Sequence, residues 1–264
     1  MTQSGVIGAH QSGPVRVLTL NRPHRRNALD PALVTALDHQ LTDAEADPGT
    51  QAIVLLGAGR SFCAGADLRY LLELSDRGET PTAFLRTVSA LATRLETSPL
   101  PVVAGLHGHA VAGGMELALA CDIVVASAGT LIGDGHVRNG LLPAAGAAVR
   151  MPQLLGLAMA RRLALTGELM HAEKLAGTGW PHEVTADGGV AAAALRIAGA
   201  LARAHGLAQS GYKELLAKTT AMPAPAALAL ELETFDAHWA AQDVAAELRA
   251  FVDRAATTRT EQQA

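Results

Sequence analysis

The strongest chemistry in the sequence lies in two small-residue segments and in the acidic side chain beside one of them. GRSFCAGADL (residues 59–68) follows an apolar run with a loop in which little but backbone and methyl groups can approach a ligand, so its peptide N–H groups are offered as donors. GHAVAGGMELALACD (108–122) places two glycines at the opening of a helical pattern, whose first-turn N–H groups lack an internal partner and attract negative charge. Such fixed donors stabilise a carbonyl oxygen as it becomes an enolate, without a metal and with little reorganisation. Glu116 stands three residues after Gly113, within the first helical turn, where its carboxylate can act as a base. A single glutamate at a helix start can equally do no more than complement the helix dipole. The two glycine-bearing loops around Glu116 favour the chemical role.

Other reactive side chains are weaker candidates. His107 and His109 form an HxH pair, but no further Asp, Glu or His follows at a spacing that completes a metal site. Cys63 has no base positioned beside it and reads as a small packing residue. Gly108, Gly113 and Gly114 are not followed by Lys-Ser or Lys-Thr, so nucleotide hydrolysis is not suggested. His136, in the glycine-flanked IGDGHVRNGLLP, suits a surface hydrogen bond as well as proton transfer.

The elements that must hold these segments alternate between strand and helix. VRVLTL (15–20) reads as the first strand, and Pro23 ends extended pairing after it. Asp30 followed by Pro31 is the signature of an N-cap with proline at N1, opening a helix over 31–46 with Leu33, Leu37 and Leu41 inward. AIVLL (52–56) is a strand buried on both faces, which requires helices above and below. A helix over 81–97, a strand over 101–106, a helix over 113–120 and a strand over 122–126 follow, then one long helix over 151–166 with Leu154, Leu155, Met159 and Leu163 inward. After about residue 190 the strand signals fade into alanine-rich helices. Leu228, Leu230, Leu232 and Phe235 leave one of these apolar on more than one side, as a helix that buries a second face against a partner subunit would be. The terminal TTRTEQQA has no periodicity and reads as a frayed tail.

At 264 residues and 49% hydrophobic, the chain can bury one full core with at most a smaller appendage. A formal charge of -4 gives no general pull towards nucleic acid, and no apolar stretch is long enough to cross a bilayer. Two cysteines are too few for a disulfide framework, and the N-terminus lacks a signal or transit pattern, so a cytoplasmic protein beginning near Met1 is expected.

SFCAGADL together with AVAGGMELALACDIVVAS resembles the crotonase, or enoyl-CoA hydratase/isomerase, family. LNRPHRRNAL, LLPAAGAAVRMPQLLG and LALTGELMHAEKLAGTGWPHEV resemble further family segments, so the likeness spans most of the chain. It implies an α/β crotonase-like spiral of repeated β-β-α units over residues 1–195, then a C-terminal helical trimerisation region over 196–264. A homotrimer or dimer of trimers is implied too, with an acyl-CoA thioester as substrate. Coenzyme A then enters as part of that substrate, and no prosthetic group is implied.

Matched residue by residue, the family's two thioester-binding N–H groups fall on Ala66 and Gly113, and its first catalytic carboxylate on Glu116. Its second carboxylate, seven residues before Pro143, falls on His136; a two-residue shift in the loop would bring Asp134 there instead. A glutamate and a histidine can still pass protons, with a different charge pattern from two carboxylates. Arg25 and Arg26 lie in the segment resembling the coenzyme A entry loop, and substrate contacts are implied at Arg25, Ala28, Ala64, Asp67 and Phe251. Hydration of a 2-enoyl-CoA is the leading expectation. Isomerisation, decarboxylation, thioester hydrolysis and a non-catalytic acyl-CoA-binding module are the alternatives.

Overall fold

The computed structural model describes residues 5–261. The chain opens with β1 (Ile7–Ser12) and β2 (Val15–Leu20), then α1 (Pro31–Ala46) and β3 (Ala52–Gly57). α2 (Leu68–Asp76), α3 (Thr82–Thr97), β4 (Val102–Leu106), β5 (His109–Val111), α4 (Gly113–Leu119) and β6 (Ile123–Ser127) follow. Next come β7 (Leu131–Gly133), α5 (Ala147–Leu155), α6 (Leu157–Thr166), β8 (Met170–His171), α7 (Ala172–Leu175), β9 (Glu183–Thr185) and α8 (Val190–Leu201). The chain ends in α9 (Gly206–Thr219), α10 (Ala224–Ala241) and α11 (Val244–Glu261).

One sheet has the order β1-β2-β3-β4-β6-β9, antiparallel at β1/β2 and parallel thereafter. A second, β5-β7-β8, pairs β5 with β7 in parallel and β7 with β8 antiparallel. Period-two alternation divides the large sheet between two cores. Leu18, Leu20, Ile53, Leu55, Val102 and Ala104 pack with Leu33, Leu37 and Leu41 of α1 and Val88, Leu91 and Leu95 of α3. Val15, Val17, Val54, Val103 and Val125 pack with Ala193, Ala194 and Ala198 of α8. Helices cover both faces, as the uninterrupted apolar run of β3 requires. The Asp30 cap is formed, its carboxylate accepting from Leu33 N at 2.8 Å with Pro31 in the first turn.

Several expectations need correction. VRVLTL is the second strand rather than the first: β1 precedes it, and its positions Ala9–Ser12 are exposed and gain order by pairing with β2 around Gly13. The long helix over 151–166 is two helices, because Gly156 (φ 76, ψ 153) breaks the run, and Leu154 is exposed rather than inward. The expected tail is helical as far as Glu261; residues 262–264 lie outside the described ones.

The chain forms two compact units, one through Gly206 and one from Leu207. A division at residue 195 would cut α8, which is a continuous helix seated on the sheet. In the second unit, α10 has no buried residue, and Leu228, Leu232 and Phe235 are exposed. Among the described residues, no helix is long and apolar enough to cross a membrane.

Candidate active site

The site begins where the 58–67 loop meets the small sheet. Cys63 N donates to His109 O (3.0 Å) and Val111 N to Cys63 O (3.1 Å), which stitches the loop to β5. Leu29 N donates to Gly65 O and Asp67 N to Leu29 O, both at 2.8 Å. Ala66 therefore sits between two ladder bonds, and its own N–H has no protein partner among the described residues. Gly113 opens α4, and its N–H has none either, as expected for a first-turn donor.

The two turns touch. A Cβ built on Gly65 (φ 92) would stand 3.1 Å from Gly113 N, and one on Gly113 would stand 3.5 Å from Ala66 N. At Gly114 a Cβ would lie 2.2 Å from the Cys63 carbonyl oxygen, so only glycine permits this approach. Between β5 and α4, Ala112 takes φ 52 and ψ -121, a conformation that costs an L residue roughly 1–3 kcal/mol. It is held there by its N–H to Gly133 O (3.0 Å) and by its carbonyl, which accepts from Glu116 N (2.9 Å).

Glu116 is 2% exposed on the first turn of α4. Its Oε1 accepts from Ala145 N (2.8 Å) and Ala147 N (3.1 Å), which leaves Oε2 facing His136 Nε2 at 3.8 Å. The other nitrogen of His136, Nδ1, lies 2.9 Å from Asp134 Oδ1, and Asp134 is itself buried. Burial alone pushes the His136 ring down; the hydrogen bond and charge of Asp134, then the charge of Glu116, outweigh it, so the net shift is upward. Behind Glu116, Arg150 donates to Ala145 O (2.8 Å) and to Glu96 Oε2 (2.6 Å through Nη2), fixing the backbone that serves the glutamate.

These groups share a cavity of about 60 Å³, room for a few water-sized groups. Ala66, Gly113, Glu116 and His136 line it, with Leu29, Leu71, Leu85 and Leu142 among its apolar walls. Asp134 is not on its surface. The arrangement can polarise a carbonyl at two free amides and pass protons between a carboxylate and an imidazole a few ångströms away.

The remaining sequence candidates separate. Asp67 turns away to Arg22 (3.0 Å) and caps α2 through Arg69 N (3.2 Å); burial opposes its ionisation, but Arg22 prevails and its carboxyl lies below the usual value. Ala28 is buried and offers its carbonyl to Arg22; Ala64 is half-buried and donates to Arg26 O at 3.0 Å. Arg25 is half-buried and Arg26 exposed on the turn after β2. Phe251 is exposed on α11 in the second unit.

His107 bonds Gly59 O (3.0 Å) and His109 bonds Ser61 Oγ (3.3 Å); no metal-binding cluster occurs among the described residues. Cys63 is fully buried and its thiol is pushed up to about 12 by desolvation, so it packs rather than reacts.

Three supporting residues escaped the sequence reading. Arg22 ties Asp30 and Asp67 together at 3.0 Å each, and buried Asn27 donates to the carbonyls of Ala58, Ser61 and Phe62 while accepting from Arg22 N. Both lie in LNRPHRRNAL, whose polar residues could have signalled a loop clamp. Arg150 is the third, the single charge inside the mostly apolar AAVRMPQLL.

The family model of enoyl-CoA hydratase/isomerase matches residues 10–262. The 2,3-dehydroadipyl-CoA hydratase of Escherichia coli K12 is 32% identical over 91% of this chain and 92% of its own. The short-chain-enoyl-CoA hydratase of Clostridium acetobutylicum is 29% identical over 92% and 93% of the two chains. An enoyl-CoA hydratase from Polaromonas sp. JS666, solved by crystallography, superposes with a TM-score of 0.88 at 30% identity, covering 95% of this chain and 98% of that one. With the fold, the paired turns and a match along nearly its whole length, the chain belongs to the enoyl-CoA hydratase/isomerase family, the crotonases.

Proposed function

We propose that the protein reversibly hydrates a 2-enoyl-CoA, with Ala66 N–H and Gly113 N–H as the oxyanion hole and Glu116 and His136 as the proton-transfer pair. Glu116 Oε2 takes a proton from water as the water oxygen bonds to C3. The displaced electron pair moves to the thioester oxygen between the two amides, and His136 returns a proton to C2 as the enolate collapses. The proton left on Glu116 then passes to His136, restoring both groups. The observation that carries this reading is the 3.8 Å approach of His136 Nε2 to Glu116 Oε2 on a cavity shared with two unpaired amides.

The same reading makes coenzyme A part of the substrate, with Arg25 and Arg26 near its phosphates. It also takes the C-terminal helices as the trimer contact, with Phe251 serving a neighbouring subunit; the exposed apolar face of α10 supports this. Two buried free thiols suit the cytoplasm.

Incubation with crotonyl-CoA should bleach the enoyl absorbance and yield the 3-hydroxyacyl thioester. One observation favours double-bond isomerisation by Glu116 alone: it is the sole carboxylate among the described residues lining the cavity. A moved double bond without added water would support that second reading. Binding of CoA esters with no turnover across a substrate panel would overturn both.

A further inference from the structure

The cavity has a third ionisable side chain behind its wall. β7 ends at Gly133, Asp134 follows, Gly135 reverses the chain with φ 64, and His136 opens a short 3-10 turn over His136–Asn139. This hairpin-like step places His136 beside Glu116 and Asp134 on the far side of the same ring, with 3% of the Asp134 side chain exposed and 11% of the His136 side chain. We propose that Asp134 is a positioning residue: by accepting a hydrogen bond from His136 Nδ1–H, it fixes the ring so that Nε2 presents its proton to Glu116 and the substrate.

An unheld imidazole has two ring orientations, and only one turns Nε2 towards Oε2; a neutral ring held through Nδ1–H would offer an acceptor there, whereas the cation donates from both nitrogens. A buried carboxylate at 2.9 Å from Nδ1 fixes that orientation and stabilises the cation, whose Nε2–H is the donor. The charges bearing on the ring are both acidic, Asp134 from its own loop and Glu116 from α4. Arg138, on the same turn, instead lies over Gly167 at the end of α6 and acts on Glu168, which Arg162 of that helix also pairs with at 2.9 Å.

The inference rests on the proposed donor role of His136, so its test needs a readout in the resting protein. Nitrogen NMR of the His136 ring should show its titration midpoint falling in D134N, because the hydrogen bond and charge of Asp134 hold it up. With crotonyl-CoA, D134N should lose about tenfold or more in kcat, keep KM within about threefold, and move the alkaline limb of its kcat profile to lower pH. In the H136Q background, adding D134N should cost nothing further, since Asp134 acts through the ring.

An unchanged midpoint in D134N, or a full additional loss in the double variant, would overturn the proposal. So would a D134N protein that fails to fold while H136Q folds. If the unaltered enzyme does not hydrate crotonyl-CoA, the functional reading fails, and the NMR comparison still decides the role of Asp134.

Discussion

Two substitutions at Glu116 should separate its chemical work from its structural work. Glu116→Gln keeps an Oε1 that can accept from Ala145 N and Ala147 N, but replaces the oxygen facing His136 with an amide that cannot take a proton. Turnover of crotonyl-CoA should fall by ~100-fold or more, equivalent to about 2.7 kcal/mol of barrier, with the urea midpoint close to that of the unaltered protein. Glu116→Ala removes the acceptor as well. It strands two N–H donors on buried residues, each costing about 1–3 kcal/mol, so roughly 2–6 kcal/mol should be lost from a total of ~5–15. Activity by enoyl absorbance and unfolding in urea, measured on both variants, give the comparison. A Gln variant within about threefold of the original rate, or an Ala variant as stable as the Gln one, would refute the reasoning.

The His136 ring is raised in the folded state, so its contribution to stability is complete below its ordinary value of 6.5 and disappears as pH rises through the higher folded value. Urea midpoints should therefore decline across that interval, and H136Q should flatten the decline. Asn27→Ala should cost about 2–5 kcal/mol, because three carbonyls and Arg22 N lose a partner and alanine must adopt φ 54; a thermal melt unchanged within a degree or two would count against the clamp. Cys63, at about 12, should resist alkylation in the native protein and react only after unfolding, which mass spectrometry of iodoacetamide-treated samples will detect.

The frame was legible where the signals are local and redundant. The Asp30–Pro31 start and the apolar run of β3 announce themselves in four to six residues, and their positions match the structure. β1 was hidden because an edge strand with exposed positions has no alternation to display; its order comes from β2. Gly156 was readable as a breaker, yet the 3.6-residue pattern on either side of it carried the reading across. At the site, spacing brought Ala66, Gly113 and Glu116 into view. It offered His136 and Asp134 as rivals, whereas the fold sets one behind the other against Glu116. No one-dimensional pattern encodes that stacking, which depends on the turn at Gly135 and on β7 lying beside β5.

The contact between Gly114 and the Cys63 carbonyl divides the protein into parts with different freedom to change. On the catalytic side, a side-chain atom at Gly114 would push the two turns apart, so that position is closed to variation. Leu71 and Leu85 belong to the crossover between β3 and β4, and in α2 Leu74 is buried while Tyr70 and Leu71 are only partly buried against the core. Libraries aimed at a new acyl specificity should therefore diversify that crossover and leave the paired turns intact, since the chamber can be reshaped there without dismantling the machinery it serves.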